Sequence, residues 1–142
     1  MIQKDVQVYG IILVSSENKI LLVRGRRTGK WSFPKGHPKK NETHHDCARR
    51  ETNEETGILI PDNLNKCVRL ATGMYYFHHI NGQPNGYPID RNEIMDIKWW
   101  TMPQLQRLNL NIDVSYFLKN YGDFLWKKVD KVEDNSVDDI IY

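Results

Sequence analysis

Residues 36–58 read GHPKKNETHHDCARRETNEETGI, and three glutamates crowd into the second half of this stretch. On a helix with 3.6 residues per turn, Glu51, Glu54 and Glu55 lie within one arc of the surface. Like charges one turn apart destabilise a helix by about 0.2–0.5 kcal/mol per pair. Two interpretations follow: a solvated face balanced by the neighbouring arginines, or a cluster of hard oxygen ligands for Mg²⁺ or Mn²⁺.

The same stretch carries the start and stop signals of a helix. Thr43 followed by Asp46 resembles an N-terminal cap, and Gly57 is typical of the position just past a helix C-terminus. Between them there is little apolar stripe, and the small residues Ala48 and Thr52 lie opposite the glutamates. The pattern therefore predicts a helix that approaches a sheet through Ala48 and Thr52.

The segments on either side of this helix predict the rest of the fold. Apolar, β-branched runs predict strands over 6–15, 19–25, 67–80 and 94–100, the first two as a hairpin. Residues 26–42 form a basic loop rich in glycine and proline, and helical stretches are predicted over 102–110 and 113–128. Strands before and after a helix, followed by more helix, predict a mixed α/β sandwich.

The composition is that of one globular domain, with 142 residues, a hydrophobic share of 39% and a charged share of 27%. No apolar run reaches the roughly 18 residues that a membrane span needs. The N-terminus lacks the layout of a secretory signal. Cys47 and Cys67 lack metal-ligand spacing, and we expect free thiols, a reducing compartment and a cytoplasmic location.

The charge is unevenly distributed along the chain. The acidic tail, residues 129–142, holds five acids and one lysine, a net charge of −4, so residues 1–128 carry +6 of the total of +2. A basic domain favours an anionic partner, although a solvated basic surface explains the charge equally well.

The spacing of residues 36–58 resembles a known signature. The matching positions are Gly36, Glu42, Arg50, Glu51, Glu54, Glu55, Gly57 and Ile58. Their spacing is that of the Nudix hydrolase signature, G-x5-E-x7-R-E-U-x-E-E-x-G-U, where U is apolar. Thr52 departs from it, because an aliphatic residue is usual there. The resemblance implies an α/β fold, a Nudix-type α/β/α sandwich with a mixed β-sheet, as a single domain over residues 1–128.

The resemblance also implies a metal site. Glu51, Glu54 and Glu55 would bind Mg²⁺ or Mn²⁺, and one of them would also orient or deprotonate the attacking water. The carbonyl of Lys35 is a candidate additional ligand. The implied reaction is metal-assisted attack of water at phosphorus in a diphosphate linkage.

Other matching residues have implied supporting roles. Arg50 and Glu42 would form an ion pair that fixes the loop and steers the ligand carboxylates. Gly36 would allow a tight turn, and Gly57 would end the helix.

Many Nudix enzymes take a further acid from a loop beyond the helix. Glu93 is the candidate here, with Asp90 and Asp96 as competitors. A loop acid that caps a turn is an equally compatible interpretation.

The basic loop bears on the substrate. The cations of this loop and of the end of the strand before it are Arg24, Arg26, Arg27, Lys30, Lys35, Lys39 and Lys40. Such a set favours a highly charged substrate, with Arg24, Arg26, Lys30 and Lys35 as candidate contacts. Tyr75, in the aromatic run over 75–79, is the candidate for stacking a base, with core packing as the alternative.

The lead-in "FPKGH" is similar to that of Nudix members acting on dinucleoside polyphosphates or capped RNA 5′ ends. Diphosphoinositol polyphosphates are the alternative substrate class. An alternative of another class is a non-catalytic Nudix-like module that binds nucleotide or RNA. Such modules usually lose glutamates of the signature over residues 36–58, which is called the box below. No DNA-binding motif or membrane partner is predicted, and the oligomeric state is not determined by the sequence.

Overall fold

The computed structural model describes residues 6–130, with side chains as far as Tyr121, and seven strands and three helices lie in this part of the chain. The strands are β1 (Val8–Ser15), β2 (Ile20–Gly25), β3 (Trp31–Ser32), β4 (Lys35–Gly36), β5 (Cys67–Arg69), β6 (Gly73–Ile80) and β7 (Ile94–Trp100). The helices are α1 (His44–Thr56), α2 (Met102–Leu105) and α3 (Ile112–Asp130). Beyond Asp130, the predicted acidic tail lies outside the described residues.

β1 is the centre of a mixed sheet. It runs parallel to β6 along its length, from Val8 opposite Gly73 to Ser15 opposite Ile80. Its start pairs antiparallel with β4 and its end with β2, so the predicted hairpin is paired only near its turn. β2 continues away from β1 to pair with β3 and β7, and β5 pairs with β6. Parallel strands need a long crossover connection, and the chain between β1 and β6 contains α1.

Both faces of β1 are buried, because its side chains alternate between two cores. Even-numbered residues of β1 pack with Val114 and Phe117 of α3. Odd-numbered residues pack with Cys47 and Ala48 of α1. The sheet therefore lies between two layers of helix, and the predicted α/β/α sandwich is confirmed.

The ends of α1 are those that the sequence predicted. The Thr43 hydroxyl accepts the Asp46 N–H at 3.0 Å, and Gly57 has the left-handed φ of 73°. The Gly57 N–H donates to the Asn53 carbonyl at 2.8 Å. Each of these caps satisfies one terminal backbone group, and the left-handed conformation of Gly57 ends the helix.

Three predicted elements were wrong in extent. Residues 67–80 form two antiparallel strands, β5 and β6, joined by a turn at 70–72. The basic loop contains the short strands β3 and β4, which pair with the sheet. The helix expected over 102–110 is only α2, because the chain then turns to form a parallel bridge between Leu110 and Trp31.

Neither of the two cysteines, both within the described residues, forms a disulfide. Over residues 6–130 no helix is long and apolar enough to cross a bilayer. Cys47 is buried against β1, and Cys67 is partly exposed on β5.

Thr52, the residue that departs from the Nudix signature, has a buried hydroxyl without a hydrogen-bond partner. Thr52→Val keeps the shape and removes the unpaired polar group, so we expect the free energy of unfolding to rise by about 1 kcal/mol. Urea unfolding followed by tryptophan fluorescence measures this change.

Thr56→Val is the matched control for Thr52→Val. The equally buried Thr56 hydroxyl donates to the Thr52 carbonyl at 2.6 Å and accepts the Ile58 N–H at 3.0 Å. Its loss should therefore lower stability. A loss of stability in Thr52→Val would contradict the assignment of an unpaired hydroxyl.

Candidate metal and diphosphate site

The three box glutamates lie in the C-terminal half of α1 and differ in their environments. Glu55 is 4% exposed, and its Oε1 accepts the backbone N–H of Lys35 at 3.1 Å. Glu51 lies against Gly36 so closely that a Cβ on Gly36 would be 1.9 Å from Glu51 Oε2. Glu54 is more exposed. Strand β4 therefore lies against the carboxylates of Glu51 and Glu55, and only glycine at position 36 leaves room for Glu51.

Arg50 ties the loop before α1 to the glutamates. Its Nε and Nη2 donate to the two carboxylate oxygens of Glu42 at 2.7 and 2.9 Å. Its Nη1 donates to both oxygens of Glu54 at 3.1 and 3.2 Å and lies 3.4 Å from Glu51 Oε2. The planar guanidinium thus orients three carboxylates at once, which a lysine ammonium cannot do.

Burial, and then the charges of neighbouring acids, disfavour the charged forms of Glu51 and Glu55 and so raise the pKa of each. Burial, with the nearby charges of Glu54 and Glu93 and against the opposing effect of Arg50, raises the pKa of Glu51 to about 7. Burial also raises the pKa of Glu55 to about 8, against Lys35 and with Glu51 and Glu93. Each shift reports a carboxylate whose charge is disfavoured without an added cation.

The residues fit a divalent metal ion. Carboxylate oxygens together with a backbone carbonyl are the hard ligands that Mg²⁺ and Mn²⁺ prefer, and the absence of a Cβ at Gly36 lets the Glu51 carboxylate lie directly against β4. Within residues 6–130, no three histidine, cysteine, aspartate or glutamate side chains already converge as a ligand set. Glu54 instead directs both oxygens to Arg50.

A cavity of about 350 Å³ opens beside Glu55. Its lining residues are Gly25, Arg27, Thr28, Lys30, Ser32, Lys35, Glu55, Asn92, Glu93, Ile94 and Asn111. The side chains of Arg27, Lys30 and Lys35 form no ion pair with any described residue. The cavity therefore combines two acids with three cations that lie beyond ion-pair distance of any described acid, although the charge of Lys35 still acts to lower the pKa of Glu55.

The structure separates the candidate contacts of the basic loop. Lys30 and Lys35 line the cavity. Arg24 does not; its Nε donates to the Gly29 carbonyl at 3.0 Å, and its guanidinium lies 6.0 Å from the Trp31 ring centroid. Arg26 donates from Nε to the Arg91 carbonyl at 3.1 Å and from its backbone to the Glu93 carbonyl at 2.7 Å. Arg26 thus holds the loop that carries Glu93.

Of the three candidate loop acids, only Glu93 lines the cavity. Asp90 accepts the Asn92 N–H at 3.0 Å and so caps its own turn. The Asp96 carboxylate lies 3.9 Å from the Lys98 ammonium. The backbone N–H groups of residues 89 and 90 donate to the Glu54 carbonyl, which brings this loop against α1.

Tyr75 is not available to stack a base. Its side chain is wholly buried, its ring packs on Phe33 at 5.2 Å, and its hydroxyl donates to Asp113. The alternation of β6 directs Tyr75 into the core shared with α3. The expected stacking role was therefore wrong, and core packing is the observed alternative.

The sequence did not single out Arg27 as a contact, nor Thr28, Asn92 or Asn111. Asn111 precedes a helical stretch, and asparagine there signals a helix cap rather than a cavity wall. The approach of Asn111 to β3 depends on a long-range backbone bridge that no local pattern contains.

The Arg50–Glu42 pair predicts a pH-dependent stability. The hydrogen bonds from Arg50, and then that from the Lys39 N–H, lower the pKa of Glu42 to about 2 against burial. A lowered folded-state pKa adds stability that is complete above the ordinary value of 4.5 and is lost as the pH falls through about 2. Glu42→Gln should therefore lower the free energy of unfolding by about 1–2 kcal/mol at pH 7.

Urea titrations between pH 7 and pH 3 test this difference, which should shrink as the pH falls below about 4.5. Glu17→Gln, in the exposed turn after β1, is the control and should show no such difference. A Glu42→Gln deficit that stays constant with pH would contradict the pairing as its cause.

The NUDIX domain model matches residues 4–121, and the chain belongs to the NUDIX domain family. The Nudix fold implied by the box is confirmed. Proteins of this family generally use divalent metal cations, in keeping with the acidic cluster.

Two curated relatives are similar in sequence. The chain is 30% identical over 126 residues to mRNA-decapping enzyme subunit 2 of Saccharomyces cerevisiae, covering 83% of this chain and 13% of that protein. It is 51% identical over 126 residues to the mRNA-decapping protein g5R of African swine fever virus, covering 69% of this chain and 51% of that protein. The chain thus matches about half or less of the length of these relatives.

A solved structure shares the fold. The crystal structure of a Caenorhabditis elegans Ap4A hydrolase binary complex superimposes with a TM-score of 0.67 at 19% identity, covering 84% of this chain and 98% of that one. At this identity the likeness concerns the fold.

Proposed function

We propose that this protein is a pyrophosphohydrolase that cleaves a diphosphate linkage in a nucleoside diphosphate-X substrate, with dinucleoside polyphosphates and capped RNA 5′ ends favoured. The observation that carries the proposal is the cavity in which Glu55 and Glu93 meet Arg27, Lys30 and Lys35. Acids suit a metal ion, and unpaired cations beside them suit the phosphates that the ion would share. The names of the decapping and Ap4A-hydrolysing relatives support the same substrate classes.

Each residue of the site has a part in this proposal. Glu51, Glu54, Glu55 and the Lys35 carbonyl would hold Mg²⁺ or Mn²⁺, which supplies charge neutralisation at phosphorus and acidifies a bound water. Arg50 would keep the carboxylates of Glu51 and Glu54 aimed, since it already contacts both. Arg50 in turn is held by Glu42 through two hydrogen bonds.

The cavity residues outside the box glutamates would assist the attack of water at phosphorus. Glu93 faces the box and would accept the proton of the attacking water at its carboxylate. The ammonium groups of Lys30 and Lys35 and the Arg27 guanidinium would neutralise the phosphate oxygens as charge develops on them. Arg26 would act indirectly, because it holds the backbone of the Glu93 loop.

Diphosphoinositol polyphosphates are the second candidate substrate class. The cavity lining contains three cations and no aromatic side chain, which favours dense phosphate over a stacked base. The alternative of another class, a non-catalytic module that binds nucleotide or RNA, is disfavoured by the complete set of box glutamates.

The state of the two cysteines bears on the cellular location. The lack of a disulfide at Cys47 and Cys67, both described by the structure, fits a reducing compartment, which supports a cytoplasmic location. The fold over the described residues supports one Nudix domain within residues 1–128.

Turnover of a substrate panel tests the proposal. The purified protein is incubated with Mg²⁺ or Mn²⁺ and diadenosine tetraphosphate, capped RNA, a diphosphoinositol polyphosphate, ADP-ribose or a nucleoside triphosphate. We expect hydrolysis of at least one diphosphate linkage, with the highest kcat/KM for a dinucleoside polyphosphate or capped RNA, and ¹⁸O-water identifies the phosphorus attacked. No turnover of any substrate with either ion would overturn the enzymatic assignment.

A further inference from the structure

We infer that Asn111 is a substrate-contacting residue whose side-chain amide donates a hydrogen bond to a phosphate oxygen held in the cationic cavity. The inference rests on the proposed function and deepens it, because it names a neutral donor that sets affinity for phosphate. Asn111 lies far from the box in sequence and matches no position of the Nudix signature.

The backbone places Asn111 rigidly on the cavity wall. Its N–H donates to the Trp31 carbonyl at 2.9 Å, and the Trp31 N–H donates to the Asn109 carbonyl at 2.8 Å. These bonds flank the parallel bridge between Trp31 and Leu110. Ser32, the residue after Trp31, lines the same cavity as Asn111. The position is therefore set by the sheet and not by a free loop.

One half of the Asn111 side chain is already engaged. Its Oδ1 accepts the Val114 N–H at 3.0 Å, and its carbonyl accepts the Ser115 N–H at 3.1 Å, so Asn111 caps α3. Only the amide oxygen can accept from an N–H, which determines the orientation of the amide. The Nδ2 group has no acceptor among the described side chains. The Nδ2 donors are therefore the unengaged part of the Asn111 amide, in a residue that lines the cavity.

The surroundings of Asn111 select the ligand. Arg27, Lys30 and Lys35 line the same cavity without an ion pair among the described residues, so three positive charges and the amide share one space with Glu55 and Glu93, whose charge the proposed metal ion would neutralise. An anionic oxygen is the acceptor that this set binds best. Arg24 and Arg26 do not line this cavity, and their Nε groups are bonded to backbone carbonyls.

Asn111→Asp separates the cap from the contact. Aspartate is as good a helix cap as asparagine, and its charge is favourable at a helix N-terminus, so thermal stability should be unchanged or raised. The substitution removes the amide donors and places a negative charge beside the phosphates. We expect KM for diadenosine tetraphosphate to rise by about 10- to 100-fold, with kcat within about 3-fold of the original.

Two further variants keep the test specific. Asn109→Asp adds the same charge two residues earlier at an exposed position outside the cavity, and its KM should stay within about 2-fold. Asn111→Ser retains a capping oxygen and a single donor, and it should raise KM less than Asn111→Asp. Equal KM values for Asn111→Asp and Asn109→Asp would overturn the contact.

Diguanosine tetraphosphate distinguishes phosphate from base. It carries the same phosphate chain as diadenosine tetraphosphate, so a phosphate contact predicts the same fold-rise in KM for both. A rise for one of them only would assign Asn111 to the base and overturn the phosphate contact. Calorimetric binding of inorganic tripolyphosphate gives a readout without turnover. This readout remains if the unsubstituted protein hydrolyses no substrate. Tighter binding of tripolyphosphate by the unsubstituted protein than by the Asn111→Asp variant supports the contact, and equal affinity of the two proteins overturns it.

Discussion

Replacement of Glu54 and Glu55 together by glutamine is expected to lower kcat by about 10³-fold or more while leaving the fold intact. Glutamine retains the shape of each side chain but removes two charges that the proposed metal needs. Loss of transition-state charge stabilisation of this kind costs about 10²–10³ for a single donor, and two ligands are removed here. The folded protein without metal should lose little stability. The nearly buried Glu55 is disfavoured in its charged form, the ion pair of the partly exposed Glu54 with Arg50 is worth about 1 kcal/mol or less, and Arg50 stays paired with Glu42.

Asp46→Asn is the control for the double variant. Asp46 lies in the first turn of the same helix, pairs with Arg49 and stands outside the cavity, so its loss should change kcat by less than about 2-fold. Binding of Mn²⁺, measured by electron paramagnetic resonance, should be lost in the double variant and kept in Asp46→Asn. Turnover that survives Glu54→Gln with Glu55→Gln would refute these residues as metal ligands.

Removal of the Asp113 carboxylate is expected to give the largest loss of stability, about 3–5 kcal/mol for Asp113→Ala. Asp113 is wholly buried in the first turn of α3. Its oxygens accept the Thr72 N–H and the Thr72 hydroxyl, both at 2.7 Å, and the Tyr75 hydroxyl at 2.5 Å. Each donor left without a partner costs about 1–3 kcal/mol, a large share of the 5–15 kcal/mol that stabilises a typical domain.

Urea unfolding followed by tryptophan fluorescence measures this loss. Tyr75→Phe removes one donor and keeps the ring on Phe33, so it should cost only about 1–2 kcal/mol. Once Asp113 is alanine, the further change to phenylalanine at 75 should cost much less than it does alone, since the shared bond is already gone. Independent, additive costs, or a loss below about 1 kcal/mol for Asp113→Ala, would show that the three bonds do not hold α3 to the sheet.

The box was readable from the sequence because its signals are local. The caps at Thr43 and Gly57 act within one turn of the chain, and helical spacing alone brings the glutamates to one side of α1. The burial of Ala48 and Thr52 follows from the same periodicity. These features persist in any fold that buries the opposite face of the helix.

The sequence predicted only some of the residues that line the cavity, because the charge of a residue does not show where its side chain points. Arg24, Arg26, Lys30 and Lys35 look equivalent in the sequence, but Arg24 turns back on its own loop and Arg26 reaches the Glu93 loop. Backbone carbonyls distant in sequence decide those outcomes. Likewise, nothing in the local sequence around Tyr75 indicates that its hydroxyl donates a hydrogen bond to Asp113 of α3.

The sequence by itself determined the family, the sheet-facing side of α1 and the placement of three glutamates in the second half of that helix, since all three depend on residue types at short, regular spacing. The tertiary structure alone decided which cations and which loop acid face those carboxylates, and it brought Asn111 beside Ser32. The physical reason is that these placements depend on strand pairing and backbone bridges between distant segments, such as that of Trp31 with Leu110. Such pairings are chosen by the packing of the whole sheet.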